Sequence, residues 1–226
     1  MTPKLILQSI GTLLIGSLLL GLLLFLPAGT FDYWQAWSFI VVFMITITMF
    51  GLYFSVKDPA LMERRKQAGP AAEQSMIQKI VATIAFASLF GLFIIGGFDH
   101  RFGWSQMPPL VAWAGDALVV VAFYLYSLVF KANSFGASNI RVEEKQPVSS
   151  TGPYAIVRHP MYSVGVLFFA GIALGIGSWW ALALLLIALP TLIIRILDEE
   201  KLLVKDLPGY LEYEQKVRYR LVPYLW

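Results

Sequence analysis

The 226-residue sequence contains no cysteine. Disulfides, thiolate metal ligands, a cysteine nucleophile and S-acylation are therefore excluded, while the redox compartment stays open. Charge is scarce too: Asp, Glu, Lys and Arg make up 14% of the chain against 58% hydrophobic residues, and only two histidines are present. Together with a mean hydropathy of +0.70, this composition excludes an ordinary soluble domain. The fold class it implies is an all-α polytopic membrane protein, with apolar runs near the ~20 residues that a helical span requires. There is no glycine-rich phosphate loop, internal repeat or low-complexity tract. The net charge of +3 is small and unevenly distributed along the chain. It reads as membrane topology rather than nucleic-acid binding.

About six hydrophobic helical segments are expected: four spans followed by a C-terminal hairpin. The first span runs from Leu5 to Leu26 and is too long for the core of a signal peptide, ~7–15 residues. The second runs from about Trp37 to Val56, behind an aromatic cluster of Tyr33, Trp34 and Trp37 suited to a membrane interface. Further spans are expected at about Ile80–Phe98 and Leu110–Phe130. Lys131 to Arg158 is too polar to lie in lipid; it contains Asn133, Ser134, Phe135, Arg141, Glu143, Glu144, Lys145 and Gln146. Two apolar segments, about Met161–Ile176 and Trp179–Ile194, are then joined by only Gly177-Ser178, which predicts an antiparallel helical hairpin. The tail from Lys201 to Arg220 alternates Leu and Tyr with charge and predicts a helix on the membrane face. Residues 1–130 thus read as a transmembrane scaffold and 131–226 as the catalytic region.

Positive charge sets the expected orientation. Lys57, Arg64, Arg65, Lys66 and Lys79 share one loop; Lys131, Arg141, Lys145 and Arg158 share another; and six more lie from Arg195 onward. Lys4 opens the chain, which leaves only Arg101 for the opposite side. With six crossings both termini are expected in the cytoplasm.

Gly152–Tyr162 is the stretch that carries chemistry: polar, turn-rich, and set directly against an uncharged run. Pro160 biases His159 away from helical torsions and is itself suited to the first helical turn. The backbone N–H groups of Met161, Tyr162 and Ser163 are expected to be free at that helix start, where a ligand carboxylate would be welcome beside Arg158 and His159. Antiparallel arms of similar length bring Asp198, Glu199 and Glu200 back to the same level. Donors and positive charge on one wall would then face carboxylates on the other, which suits a small zwitterion with ribose hydroxyls.

Arg158-His159-Pro160-Met161-Tyr162, Gly171, Glu199-Glu200-Lys201-Leu202-Leu203 and Tyr210-Leu211-Glu212-Tyr213 resemble the catalytic half of the isoprenylcysteine carboxyl methyltransferase family and the related phospholipid methyltransferases. The resemblance covers about Asn133 to Trp226. It implies S-adenosyl-L-methionine as cofactor, held by Tyr154, His159, Pro160, Tyr162, Gly171, Glu199 and Glu200. Glu200, His159 and Arg158 are the implied catalytic residues, and the implied partner is a lipophilic small-molecule, prenylated or lipid acceptor reached through the bilayer. No metal is expected. The sequence departs from the family at Leu207-Pro208-Gly209-Tyr210, one residue shorter than the family's Phe-Gly-x-x-Tyr, and in the spacing of Val217 to Pro223. Both departures bear on the acceptor more than on the cofactor.

Plainer readings stand beside these. Glu199 lies four residues after Arg195, the spacing of a helix-surface ion pair. Tyr210, Tyr213, Tyr219, Tyr224 and Trp226 read as interfacial anchors. Glu63-Arg64-Arg65-Lys66 reads as a solvated topology signal, Asp116 as a water-exposed residue near the end of its span, and His100 has no role. Alternative functions are an NADPH-dependent membrane reductase of the sterol reductase type and a non-catalytic scaffold or transporter. The clean early spans speak against transport.

Overall fold

The computed structural model describes residues 3–66, 68–73, 75–136, 142 and 146–226, with side chains from Gly11 on, Thr12 excepted. Gln67, Arg141, Glu143, Glu144, Lys145 and the side chain of Lys4 lie outside the described residues. Among the described residues the chain forms α1 (Pro3–Ala28), α2 (Trp34–Lys57), α3 (Pro59–Lys66), α4 (Met76–Phe102), α5 (Pro109–Ala132), α6 (Pro160–Gly175), α7 (Trp179–Asp206) and α8 (Tyr210–Lys216). Helices α2, α4, α5 and α7 are long and apolar enough to cross a membrane, and α6 and Leu13–Ala28 are shorter apolar helices. This is a polytopic membrane protein.

Local chemistry sets the helix boundaries. Asp58 caps α3, its Oδ1 accepting from Leu61 N–H at 3.0 Å, and Pro59 occupies the first helical position. The basic loop expected from sequence therefore contains a docked helix whose Leu61 is fully buried. At the hairpin tip Gly177 takes φ +77°. Its N–H donates to Leu174 O at 2.9 Å and Ser178 N–H donates to Ala173 O at 3.0 Å, which closes α6 in a Schellman turn. Ser178 Oγ then caps α7 by accepting from Ala181 N–H at 3.0 Å. In the tail, the expected single helix over 201–220 is replaced by the end of α7, a break at Leu207-Pro208-Gly209 with Gly209 at φ +85°, and the short α8. Proline and a left-handed glycine in succession cannot continue a helix.

The chain divides into two compact units, each assembled from three stretches: residues 1–53, 87–123 and 167–186, and residues 54–86, 124–166 and 187–226. The first has an aromatic and aliphatic core that includes Leu24, Tyr33, Phe39, Leu92, Val119, Ile172 and Ile176. Small residues let its helices approach closely: a Cβ on Gly115 would stand 2.2 Å from Gly175 N, and one on Gly171 would stand 3.1 Å from Gly115 O. This packing also corrects the reading of Asp116. It is 6% exposed rather than open to water, and it accepts from Ser38 Oγ at 2.5 Å. His100 is not idle either, stacking on Tyr33 at a centroid distance of 3.9 Å with Nε2 2.9 Å from Asp32 O.

Candidate functional site

The second unit contains Gly152–Tyr162, the Glu199-Glu200 end of α7, α3, α8 and the tail. Pro160 starts α6, as its fixed torsion favours. The N–H groups of Tyr162 and Ser163 are not free, because both donate to His159 O, at 3.0 and 3.2 Å. Two of the three N–H groups expected to be free at the helix start are therefore taken up by His159's own carbonyl. The backbone of Arg158 and His159 is fixed from outside as well, their N–H groups donating to Tyr219 O at 2.8 Å and Arg220 O at 2.9 Å. The tail beyond α8 is thus an extended strap along the Arg-His pair.

Glu200 is the node of this arrangement. Its Oε1 lies 3.0 Å from Arg158 Nε and 3.1 Å from His159 Nε2, and its Oε2 accepts from Arg220 Nε at 2.8 Å. Arg158 Nη1 donates in turn to Glu214 Oε1 at 2.6 Å. Glu200 and Arg158 are both 6% exposed, so these charges are paired almost out of reach of water. A buried carboxylate needs such partners, since desolvation would otherwise cost several kcal/mol.

Glu199 faces a different environment. Tyr162 OH donates to its Oε2 at 2.6 Å and accepts from Arg195 Nε at 2.9 Å. The Tyr162 hydroxyl thus stands between Arg195 and Glu199, the pair that helical spacing alone would have joined directly. Arg195 also reaches Glu73 Oε1 at 2.8 Å and Gln78 Oε1 at 3.1 Å, while Gln78 Nε2 donates to Asp198 Oδ2 at 2.5 Å.

A cavity opens beside this network. Asn133, Phe135 and Gly136 form one wall; Gln146 to Ser149 and Tyr154 form a second; Arg158, His159, Met161 and Tyr162 a third; and Glu199, Leu203 and Leu207 with Tyr210 and Tyr213 close it. Five sequence-predicted site residues, Tyr154, Arg158, His159, Tyr162 and Glu199, meet here. Glu200 does not line the cavity but holds Arg158 and His159 from behind. Pro160 is a buried helix start, and Gly171 is a packing glycine of the first unit.

Tyr210 and Tyr213, expected to be interfacial anchors, are 4% and 5% exposed and line the cavity. The Tyr213 hydroxyl donates to Tyr154 O at 2.8 Å, whereas the buried Tyr210 hydroxyl has no hydrogen-bond partner among the described residues. Burial pushes the phenols of Tyr210 and Tyr213 above their usual range. Burial likewise pushes Tyr154 up to about 12, despite its hydrogen bond from Asn133. All three remain neutral hydroxyls at physiological pH, able to donate. Their i, i+3 spacing on α8 is the signal that would have placed Tyr210 and Tyr213 on one face. Among the described residues no cluster of His, Asp and Glu could hold a metal ion.

Residues 110–207 match the family model for phospholipid methyltransferase. The matched stretch covers α5, α6 and α7, with both Arg158-His159 and Glu199-Glu200 inside it. The match supports a membrane methyltransferase of lipid-related substrates. It stops short of α8, the tail and α3, all of which reach the same site in the fold. A comparison with the curated proteins found no match.

Proposed function

We propose that the cavity of the second unit binds S-adenosyl-L-methionine and that the chain transfers a methyl group to a lipophilic acceptor, an isoprenylcysteine-like carboxylate or a lipid. The observation that carries this reading is the shared cavity of Glu199, Arg158, His159 and the unpartnered Tyr210 hydroxyl, within a methyltransferase domain. These groups fit the cofactor chemically. Glu199 accepts from an ammonium or from ribose hydroxyls, the Tyr210 hydroxyl donates to or accepts from the nucleoside, and the aromatic rings suit a sulfonium. Tyr154, His159 and Tyr162 line the cavity together with Glu199, and Pro160 starts the helix that carries Tyr162. Gly171 has no part in this reading, because it is spent on helix packing.

When bound, the cofactor would supply an electrophilic methyl group on a sulfonium whose thioether is the leaving group of an in-line displacement. The chain's share is to position the donor and the acceptor and to exclude water, for which oriented sites supply on the order of 7–11 kcal/mol. Arg158 and His159 are held for this by Glu200. Both Glu200 oxygens already face cationic or imidazole nitrogens, so Glu200 is a weak base. That favours an acceptor such as a carboxylate, which needs no proton removed; an amine or hydroxyl would call on His159. The distribution of Lys and Arg supports a cytoplasmic site and cytoplasmic termini, with 1–130 as scaffold and 131–226 carrying the catalytic groups.

Binding of S-adenosylmethionine, S-adenosylhomocysteine and NADPH to the purified protein tests the reading. Wild type is expected to bind both sulfur ligands, and Glu199→Ala and His159→Ala to bind them at least tenfold more weakly. NADPH binding with no response to either sulfur ligand would establish the reductase instead. Lipid extracts incubated with labelled methyl donor then identify the acceptor class.

A further inference from the structure

The charge run Glu63-Arg64-Arg65-Lys66 is sufficient, by charge alone, to act as a topology signal. Its two arginines do something that charge alone does not require. Arg64 Nη1 donates to Ser134 O at 3.1 Å, and its guanidinium lies over the Phe135 ring, 4.6 Å from the centroid. Arg65 Nη1 donates to Gly136 O at 3.2 Å and lies 3.5 Å from Met161 Sδ. Its guanidinium covers the Phe130 ring at 4.5 Å. Two consecutive arginines thus grip two carbonyls of one turn, each with its guanidinium over an aromatic ring.

That turn is a wall of the cavity. Asn133, Phe135 and Gly136 line it, as does Met161, and neither arginine does. The turn is organised internally by Asn133, whose Oδ1 accepts from Phe135 N–H at 3.0 Å. Asn133 Nδ2 donates onward to Tyr154 OH at 3.2 Å. The base of the grip is firm, because α3 is capped by Asp58 and anchored by the fully buried Leu61.

We infer that Arg64 and Arg65 are positioning residues, which clamp the 133–136 turn and so set the ligand affinity of a cavity they do not line. The inference rests on the proposed cofactor reading for the identity of the ligand, but not for the clamp itself. A planar guanidinium can bond a carbonyl along its edge while stacking through its face. A lysine carries the same charge on a point-like ammonium and cannot do both. Arginine-to-lysine replacement therefore separates the clamp from the topology signal, which reads only charge.

The test compares wild type, Arg65→Lys and the double variant Arg64→Lys/Arg65→Lys, each purified in detergent. Two readouts are taken: the dissociation constant of S-adenosylhomocysteine, and amide hydrogen exchange of the 133–136 segment without ligand. Insertion and yield are expected to match wild type, because charge is preserved. Exchange of the turn is expected to rise, and affinity to fall at least tenfold in the double variant and less in the single one. Unchanged affinity overturns the inference, whether or not exchange rises. Weakened affinity with unchanged exchange overturns it too, since the effect would not pass through the turn. If wild type fails to bind the ligand, the cofactor reading falls, while exchange still decides whether the arginines hold the wall.

Discussion

In the first unit Asp99, 1% exposed, accepts from Ser105 N–H and Ser105 Oγ, both at 2.6 Å, and from Ser178 Oγ. In the second, Glu200, 6% exposed, is held by Arg158, His159 and Arg220. Each unit thus buries a carboxylate, one among hydroxyls and the other among cations. The hydroxyl solution serves structure: Ser178 ends α6 and caps α7, and Asp99 locks it in place. The cationic solution is a poor route to stability, because desolvating paired ions offsets most of their attraction. What it gains is a set of charged groups fixed in direction, and they are fixed around a cavity.

The strongest way to break this comparison is to remove the node. Glu200→Ala leaves the buried Arg158 and the partly exposed Arg220 without their shared partner, and an orphaned buried charge costs about 3–5 kcal/mol. Thermal unfolding in detergent should show a loss of that order, with binding of S-adenosylhomocysteine abolished. A loss below ~1 kcal/mol would mean that Glu214 and the strap suffice to neutralise the arginines. The second unit would then not depend on its ionic node.

The first unit should fail sterically instead. In Gly115→Ala the new Cβ would meet the backbone nitrogen of Gly175 at 2.2 Å, and backbone cannot rotate aside as a side chain can. Overpacking of this kind costs about 1–3 kcal/mol. The unfolding temperature should drop while the affinity for S-adenosylhomocysteine in the surviving fold stays at the wild-type value. A tenfold loss of affinity would show that helix packing in the first unit tunes the cavity, which the comparison denies.

Asp99→Asn sharpens the contrast further. The amide offers one acceptor oxygen where the carboxylate offers two, so at least one of the three donors loses its partner, at about 1–3 kcal/mol. Ligand affinity should again be unchanged. An affinity loss matching that of Glu199→Ala would place Asp99 in the binding machinery.

The spans and the hairpin were legible in the sequence because hydrophobic runs of helical length and a Gly-Ser tip are local signals. So was the return of Glu199 and Glu200 to the level of Arg158 and His159, which follows from two antiparallel arms of similar length. The division of labour within Glu199-Glu200 was not legible. Adjacent helical residues point about 100° apart, and only the positions of Tyr162 and Arg220 decide which carboxylate meets the cavity. Tyr210 and Tyr213 were misplaced because tyrosine near a membrane surface is equally at home as an anchor. The break at Pro208-Gly209 was not read, because the Leu and Tyr alternation over 201–220 suggested one continuous helix. The partners of Arg64 and Arg65 lie about seventy residues away, beyond any local pattern.

The smallest expected effect is the most exacting for the comparison. Lys66 and Glu63 form an ion pair at 2.5 Å, tighter by distance than any contact of Glu200, yet their side chains are 62% and 72% exposed. Water and salt screen such a pair, and the entropy of holding two long side chains offsets what attraction is left, so its value is about 0–1 kcal/mol. Lys66→Gln should leave both the unfolding temperature and ligand affinity at wild-type values, in low and in high salt. If it moved stability as much as Glu200→Ala, burial would not be what distinguishes the ionic node from surface charge. If it weakened ligand binding as the neighbouring Arg64→Lys/Arg65→Lys replacement is expected to, the whole run would act through its summed field. In that case the guanidinium faces and the carbonyls they grip would be incidental, and the contrast between clamp and topology signal would fall with them.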